Sequence, residues 1–251
     1  MILKIISQLG YQLISNSGAR KYPVEFSKAE CAIIDYVLDK ELTMVSFDQV
    51  VSTAIACKWV VKNGIPGSFV ECGVWRGGNA IVAAEIFRLN NSSNDVWLFD
   101  TFEGMVRPTD LDLDYRGRPA LNQYLSSIKS EYNEWCYASL EDVKNNFSEK
   151  RLLDNNIKFV KGNVNKTLKE ISSLQKIAVL RLDTDWYEST KIQLEILYPK
   201  LSIGGCLIID DYGAWQGCKA AVDEYFEKTA ERPFFQCSGH SGRVGIKSTD
   251  S

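Results

Sequence analysis

IAVLRLDTDWYEST (177–190) and GGCLIIDDYGAW (204–215) decide the fold class of this chain. Each is an apolar run, typical of a buried strand, that ends in aspartates: Asp183 and Asp185 in the first, Asp210 and Asp211 in the second. A charged side chain at the end of a buried strand costs free energy unless a partner compensates it. Because parallel strands collect their carboxyl ends at one edge of a sheet, the sequence predicts that these four carboxylates face one crevice.

Apolar runs and helical stretches alternate along most of the chain after residue 67. SFVECGV, DVWLFD and IKFVKG read as three strands that precede the two quoted ones, and helices are predicted near 78–89, 139–150, 187–199 and 215–230. This alternation predicts a parallel sheet with helices on both faces. The tail segments PFFQCSG and GRVGIKS predict an antiparallel pair. The expected fold is therefore a doubly wound α/β sheet with an antiparallel edge.

The beginning of the chain precedes this alternation. A helical region is predicted over about 27–63, where KNGIPG stops it. Ahead of it, apolar residues fall on one helical face and predict an amphipathic helix: Ile2, Ile5, Ile6, Leu9 and Leu13. Such a helix fits docking on the domain, on a second subunit, or on a membrane surface. We divide the chain into a helical extension (1–45) and a main domain (46–251), and expect a homo-oligomer.

One long segment, residues 103–137, does not fit the alternation. It is rich in charged residues, proline and aromatic residues. A connection of this length in a compact domain is usually a lid, a binding loop or disordered, and the aromatic residues argue against disorder. We therefore interpret this segment, called the lid below, as a cover over the crevice.

The composition is that of a globular protein. Of 251 residues, 45% are hydrophobic and 24% charged, and the formal net charge is −3. No basic surface for nucleic acid is expected, nor an integral membrane segment, since the apolar start is short and interrupted. Seven cysteines are scattered without a CxxC pair, which favours reduced thiols in a cytoplasmic protein over a disulfide framework or a zinc site.

The first three strand ends predict a nucleoside-containing cofactor. GVWRGG (73–78) follows the first strand and Asp100 ends the second, where a carboxylate can accept both hydroxyls of a ribose. Asn163 follows the third strand and faces the same crevice. Nicotinamide dinucleotides are the rival interpretation, with Arg76 near the pyrophosphate. S-adenosylmethionine fits an acidic crevice better, because its sulfonium is cationic and Trp75 offers a cation–π contact.

The aspartates predict a metal site. Asp183, Asp210 and Asp211 offer only hard oxygen ligands, which suit Mg²⁺ or Ca²⁺ rather than zinc. The alternative is that Asp210 and Asp211 cap a helix or bind loop amides. Asp185, on the same strand end, is the candidate general base. His240, the single histidine, is a second candidate for proton transfer or substrate contact, and otherwise an ordinary surface residue.

Several motifs resemble the macrocin O-methyltransferase family. They are SFVECGVWRGG, LFDTFEGM, the upstream LTM (42–44), and the long run from Leu180 to Phe226, and together they span roughly residues 40–230. The resemblance implies a Rossmann-like class I methyltransferase fold with a mostly parallel seven-stranded sheet. It also implies S-adenosylmethionine as donor, Mg²⁺, and a sugar hydroxyl as acceptor. Thr184 stands where the family usually has glycine.

By motif position, the resemblance assigns residues to these roles. Asp183, Asp210 and Asp211 match the metal ligands, and Asp185 matches a proposed general base. The residues implied to hold the cofactor are Thr43, Glu71, Cys72, Gly73, Val74, Trp75 and Asp100. Two other classes stay open at this point: another metal-dependent enzyme on the same fold, such as a hydroxylase or a hydrolase, and a catalytically silent binding protein.

Overall fold

Seven strands form one sheet in the order β3-β2-β1-β4-β5-β7-β6. The first five strands along the chain pair in parallel, whereas β7 is antiparallel to β5 and β6 to β7. The mostly parallel sheet with an antiparallel edge is therefore confirmed. The strands are β1 (Ser68–Cys72), β2 (Val96–Asp100), β3 (Ile157–Lys161), β4 (Ile177–Leu182), β5 (Leu201–Ile209), β6 (Gln236–Ser238) and β7 (Gly242–Ile246).

The computed structural model describes residues 20–229 and 232–249. Its helices are α1 (Lys28–Asp39), α2 (Phe47–Lys62), α3 (Gly78–Leu89), α4 (Leu121–Ser126), α5 (Leu140–Glu149), α6 (Val164–Glu170), α7 (Tyr187–Leu197) and α8 (Gln216–Glu227). Four predicted helices are confirmed, and α3 has the predicted bounds. The short helices α4 and α6 were not predicted. The predicted amphipathic helix lies within residues 1–19, outside the described residues.

The helical region predicted over 27–63 is two helices with a break between them. Each helix begins with a capping box, formed by Ser27 with Glu30 in α1 and by Ser46 with Gln49 in α2. The segment 40–46 between them packs on the start of α3, where the Gly78 N–H donates to the Leu42 carbonyl oxygen at 2.9 Å. The break thus places Thr43 and Gln49 at the carboxyl end of the sheet.

Helices cover both faces of the sheet, as the alternation predicts. On one face, α1, α2, α3 and α5 bury apolar side chains in a common cluster, and on the other α6, α7 and α8 do so. Ile33, Ile34 and Val37 of α1 belong to the first cluster, so this part of the extension shares the core of the main domain. The boundary at residue 45 remains a prediction. None of the helices in the described part of the chain is long and apolar enough to span a membrane.

Candidate active site

A crevice of about 260 Å³ opens at the carboxyl ends of β1, β2, β4 and β5. It gathers most of the predicted site residues, although their positions span some 170 residues of sequence. The predicted residues that line it are Thr43, Glu71, Gly73, Val74, Trp75, Asp100, Asp183, Asp185, Asp210 and Asp211. The lid contributes Met105 and Cys136 to the wall, which sequence reasoning did not identify.

Three carboxylates converge at the β4 and β5 end of this crevice. Asp183, Asp210 and Asp211 each place one oxygen so that these atoms lie within 4.8 Å of one another. The parallel register explains this placement, since Leu182 pairs with Ile209 and each strand continues directly into its aspartates. Three carboxylate oxygens at this separation are the donor set that a hard divalent cation prefers.

Beneath these carboxylates lies Arg181, which sequence reasoning missed. Its side chain is only 1% exposed, and it donates hydrogen bonds to Glu71 Oε1 at 2.9 Å, to Asp183, and to Asp210 Oδ1 at 2.6 Å. Each partner keeps a second carboxylate oxygen that does not bind the guanidinium. Arg181 therefore fixes the orientation of two candidate metal ligands and of Glu71. A charged residue inside the apolar run AVLRL was the available signal.

Gln49 is a second partner that sequence reasoning missed. Its Nε2 donates to Asp210 Oδ1 at 3.1 Å, and its Oε1 accepts from the Ser46 N–H at 3.1 Å. One amide thus caps α2 and binds a candidate metal ligand. Because orienting partners of this kind fix the position of a ligand atom, α2 belongs to the frame of the site.

The charges of the crevice do not balance. Besides Asp100, five carboxylates line it (Glu71, Asp183, Asp185, Asp210 and Asp211), and the Arg181 guanidinium binds three of these five. Burial, with added repulsion from Asp183, raises the pKa of Asp185 and of Asp210 to about 7 each, and that of Asp211 well above its ordinary value. Burial also raises the pKa of Glu71 to about 8, although Arg181 opposes the shift. A bound cation relieves this repulsion.

Asp185 reaches the crevice through an unusual backbone conformation. Its φ is 64°, the left-handed region that a non-glycine residue seldom adopts. Its N–H donates to Asp211 Oδ2 at 3.0 Å, which helps to hold this conformation. The turn that follows β4, rather than the strand itself, places this side chain. Strain of this kind at a crevice is consistent with a functional role.

At the β1 and β2 end, Asp100 organises the backbone. Its carboxylate accepts from the N–H groups of Val74 (2.6 Å), Trp75 (3.2 Å) and Phe102 (2.7 Å), and from the Thr101 hydroxyl (3.3 Å). These four bonds match the roughly four acceptor positions of a carboxylate. Asp100 therefore shapes the turn after β1, and the predicted ribose contact requires sharing these oxygens.

Two further features shape this end of the crevice. Gly73 (φ 85°) passes so close to β4 that a Cβ there would lie 1.6 Å from the Asp183 carbonyl oxygen, so the turn requires glycine. Glu71 is 1% exposed and lines the crevice, and among the described residues nothing donates a hydrogen bond to its Oε2. A buried acceptor with no donor is a position for a cationic or hydrogen-bonding ligand group.

The structure places three predicted residues away from this crevice. Cys72 is fully buried in the core. Asn163 lines an adjoining cavity of about 60 Å³ that also touches Gly73 and Asp100, and it caps α6 through the Asn165 N–H. His240 is exposed, with its ring edge-on to Tyr115 of the lid at 6.2 Å between centroids, while its neighbour Ser241 lines the crevice.

The seven-stranded sheet of this order, with an acidic crevice at its carboxyl end, is the class I methyltransferase fold, as a solved relative shows. The solved structure of the O-methyltransferase NovP superposes with a TM-score of 0.70 at 33% identity, covering 82% of each chain. Residues 33–236 match the profile of the macrocin O-methyltransferase (TylF) family, and the chain belongs to this family.

Curated relatives agree with this assignment. The demethyldecarbamoylnovobiocin O-methyltransferase of Streptomyces niveus is 37% identical over 189 residues, which are 74% of this chain and 68% of the relative. The 8-demethyl-8-(2,3-dimethoxy-alpha-L-rhamnosyl)-tetracenomycin-C 4'-O-methyltransferase of Streptomyces olivaceus is 37% identical over 184 residues, 73% of this chain and 67% of the relative. The chain is therefore an O-methyltransferase, and the hydrolase, hydroxylase and silent-protein alternatives give way to this class.

Proposed function

We propose that this chain transfers the methyl group of S-adenosylmethionine to a sugar hydroxyl, with Mg²⁺ bound at Asp183, Asp210 and Asp211. The observation that carries the proposal is the convergence of these three carboxylates, within 4.8 Å, in a crevice that is also lined by Glu71, whose buried Oε2 accepts no hydrogen bond from the described residues. The acceptor class follows from the relatives, one of which is named for a rhamnosyl substrate. A glycoside, a nucleotide sugar or a glycan all belong to this class.

Residues of β1 and β2 would hold the donor. Glu71 Oε2 suits the ammonium of the methionine part, because a buried carboxylate oxygen without a donor favours a cationic partner. The turn Gly73–Trp75 exposes backbone beside it, held in shape by Asp100. The Trp75 ring and Thr43 line the same wall, and Asn163 lies in the adjoining cavity. We assign the donor to this wall as a whole.

The three aspartates fit a magnesium ion by number, charge and atom type. A bound Mg²⁺ supplies Lewis-acid chemistry, orienting hydroxyl oxygens and lowering the pKa of one of them. Arg181 and Gln49 hold Asp183 and Asp210 in place for this role. The names of the relatives and of the family do not mention a metal. The proposal of Mg²⁺ rests on the three carboxylates of this chain.

Asp185 is the candidate base. It lines the crevice beside the three metal-ligand candidates, and burial with repulsion from Asp183 raises its pKa to about 7 in the cation-free protein, which favours a carboxylate that accepts a proton. His240 lies at the rim, against Tyr115 of the lid, and we assign it a substrate-contacting role. The proton of the acceptor hydroxyl would thus pass to Asp185.

We also propose that the protein forms a homo-oligomer and that it is cytoplasmic. Ile55 and Trp59 of α2 and Ile203 of β5 are exposed, and Trp59 Nε1 donates to the carbonyl oxygen of Gly204, next to Ile203. This apolar surface supports a homo-oligomer, to be checked by light scattering after size exclusion. Seven free cysteines support a reducing, cytoplasmic setting.

Calorimetric titration with S-adenosylhomocysteine, with and without Mg²⁺, tests the proposal first. We expect micromolar binding of the nucleoside product in both conditions and separate binding of Mg²⁺. The control is the Glu71→Gln variant, which removes the charge opposite the ammonium and should weaken nucleoside binding about tenfold. No nucleoside binding in either condition would contradict the donor assignment, and no Mg²⁺ binding would contradict the metal assignment.

A further inference from the structure

The lid contains a charged side chain that is wholly buried. Asp112 is 0% exposed, and its Oδ2 accepts from the Thr109 N–H at 2.7 Å and the Thr109 hydroxyl at 2.8 Å. Its Oδ1 accepts from the Tyr187 N–H at 2.8 Å. The first two bonds lie within the lid, while the third leaves it. One carboxylate therefore joins the lid to the residue that follows the motif Asp183–Trp186.

This third bond supplies a missing helix cap. Tyr187 is the first residue of α7, and the N-cap residue Trp186 makes no side-chain capping bond. Asp112 satisfies one of the N–H groups that a helix start leaves unpaired, and its negative charge lies at the positive end of the helix dipole. The cap of α7 thus comes from a residue 75 positions earlier in the chain.

The start of α8 is built to admit this carboxylate. A Cβ on Gly217 would lie 2.4 Å from Asp112 Oδ1 and 3.1 Å from the Tyr187 nitrogen. Glycine is therefore the residue that lets three segments meet at this point: the lid, α7 and α8. The glycine lies six residues after Asp211, so both loops that carry the aspartates are in contact with Asp112.

Further bonds join the lid to the same two loops. The Trp186 indole N–H donates to the carbonyl oxygen of Val106 at 3.0 Å. The Tyr115 N–H donates to the carbonyl oxygen of Ala214 at 2.8 Å, and the Gln216 N–H to that of Leu113 at 2.8 Å. Among all these links, Asp112 is the one that is charged and fully buried, so it is the most costly to leave unpaired.

We infer that Asp112 is a positioning residue for the metal site. By capping α7 from the lid, it holds the segment that carries Asp183 and Asp185 in register with Asp210 and Asp211. The inference rests on the proposed function, because it assigns a purpose to Asp112 through the Mg²⁺ site. It goes beyond that function by making the lid part of the frame of the site rather than a cover alone.

Calorimetric titration with Mg²⁺ tests the inference. Asp112→Ala should weaken Mg²⁺ binding about tenfold or more, the effect of losing a partner that orients a metal ligand. Nucleoside-product binding without Mg²⁺ should change less than about twofold, because Asp112 does not contact Glu71 or the turn Gly73–Trp75, which are proposed to hold the nucleoside. Gly217→Ala should weaken Mg²⁺ binding in the same way, since its methyl group displaces Asp112 without changing any charge. Asp112→Asn keeps an acceptor oxygen for Tyr187 and should recover most of the affinity.

Two lid aspartates provide matched controls. Asp110 is exposed, and Asp110→Ala should leave Mg²⁺ affinity, nucleoside-product binding and the rate of trypsin cleavage unchanged. Asp114 binds only within the lid through its side chain, to Arg116 and Arg118, so Asp114→Ala loosens the lid without uncapping α7. Trypsin reports that loosening at Arg116 and Lys129, because Arg107 and Arg118 precede proline. We expect faster cleavage in both Asp112→Ala and Asp114→Ala, and weaker Mg²⁺ binding in the first alone.

The outcomes separate the two proposals. Equal Mg²⁺ affinity in the unsubstituted protein, Asp112→Ala and Gly217→Ala would overturn the positioning role and leave the proposed function standing. Weaker Mg²⁺ binding in Asp114→Ala as well would show that lid order, rather than the cap, matters, and would also overturn it. Absence of Mg²⁺ binding in the unsubstituted protein would contradict the proposed metal function, and the positioning role would fall with it.

Discussion

The two ends of the crevice use carboxylates in opposite ways. At the β2 end, Asp100 accepts four hydrogen bonds, three of them from backbone N–H groups, and so fixes the turn that follows β1. At the β4 and β5 end, Asp210 and Asp211 face Asp183 and Asp185. There, repulsion adds to burial in raising the pKa values of Asp210 and Asp211. Backbone donors therefore fix the position of Asp100, whereas repulsion among the four aspartates of the other end favours the binding of a cation.

Arg181 joins these two ends. One guanidinium binds Glu71 at the β1 and β2 end and both Asp183 and Asp210 at the β4 and β5 end. It offsets one of five negative charges, and it does so from below the crevice, which leaves the upper oxygens to a ligand. The difference between the ends therefore depends on how much negative charge remains after Arg181, and the predictions below change that charge one group at a time.

The largest effect is expected for Asp211→Asn. The substitution keeps the size of the side chain and one acceptor oxygen but removes a charge from the three-carboxylate set. Because a bound divalent cation contributes several kcal/mol to catalysis, turnover should fall about 1,000-fold or more, with Mg²⁺ binding lost. Methyl-transfer kinetics and calorimetry measure both. Asp110→Asn, an exposed lid aspartate, is the control, and full activity of Asp211→Asn without metal would contradict the metal role.

Removing Arg181 should cost stability rather than only activity. Arg181→Met leaves Glu71, Asp183 and Asp210 without their buried counter-ion, a change that typically lowers the free energy of unfolding by about 3–5 kcal/mol. Thermal unfolding in EDTA measures the loss. Saturating Mg²⁺ should restore part of it, because the cation compensates the same carboxylates. The double variant with Glu71→Gln should lose less than Arg181→Met alone; an equal or larger loss would show that Arg181 acts by packing.

Much of the fold could be predicted, because periodicity is a local property. Alternating apolar runs predicted five parallel strands, and the glycine-rich turn predicted the start of α3. The short helices α4 and α6 escaped because they are brief and weakly patterned: α4 buries no side chain, and α6 has seven residues. The break between α1 and α2 escaped because both flanking helices are apolar and the caps at Ser27 and Ser46 are the main signals.

Some residues of the candidate site could also be predicted from the sequence, and others could not. Strand ends predicted that Asp183, Asp185, Asp210 and Asp211 face one crevice, and all four line it, since a parallel sheet determines where its strands end. The partners of Gln49, Arg181 and Asp112 could not be inferred, because they depend on tertiary register; only Arg181, a charge inside an apolar strand, left a local signal. Gln49 contacts Asp210 from 161 residues away, and Asp112 contacts Tyr187 from 75 residues away. Sequence thus predicts which carboxylates line the crevice better than it predicts the residues that hold them in position.

The pH dependence of stability should report the repulsion among the aspartates at the β4 and β5 end of the crevice. The pKa values of Asp185 and Asp210 are raised from 3.8 to about 7, so the folded protein binds more protons than the unfolded chain between these values. Their stabilising contribution is therefore present below pH 4 and is lost as pH rises through 7. In EDTA we therefore expect a lower Tm at pH 8 than at pH 5, with most of the decrease between pH 5 and pH 7.

Two further measurements test whether repulsion among the aspartates causes this pH dependence. Mg²⁺ should reduce the difference between pH 8 and pH 5, and Asp211→Asn should reduce it in EDTA, because each relieves the repulsion among the four aspartates. A Tm that rises from pH 5 to pH 8 in metal-free protein would mean that the carboxylates are already compensated. The contrast between the two ends of the crevice would then rest on hydrogen bonding alone.

The smallest effect is expected for Asp100→Asn, and it should mirror the effect of Asp211→Asn. The amide keeps one acceptor oxygen, so either the pair Val74 and Trp75 or the Phe102 N–H loses its acceptor and the turn after β1 shifts. An unpaired buried N–H costs about 1–3 kcal/mol, and nucleoside-product binding should weaken about tenfold. Mg²⁺ affinity should change less than about twofold, since Asp100 contacts none of the three metal-ligand candidates. Calorimetry on both variants therefore gives opposite patterns if the ends are independent, and loss of Mg²⁺ binding in Asp100→Asn would show that Arg181 and Glu71 transmit changes from one end to the other.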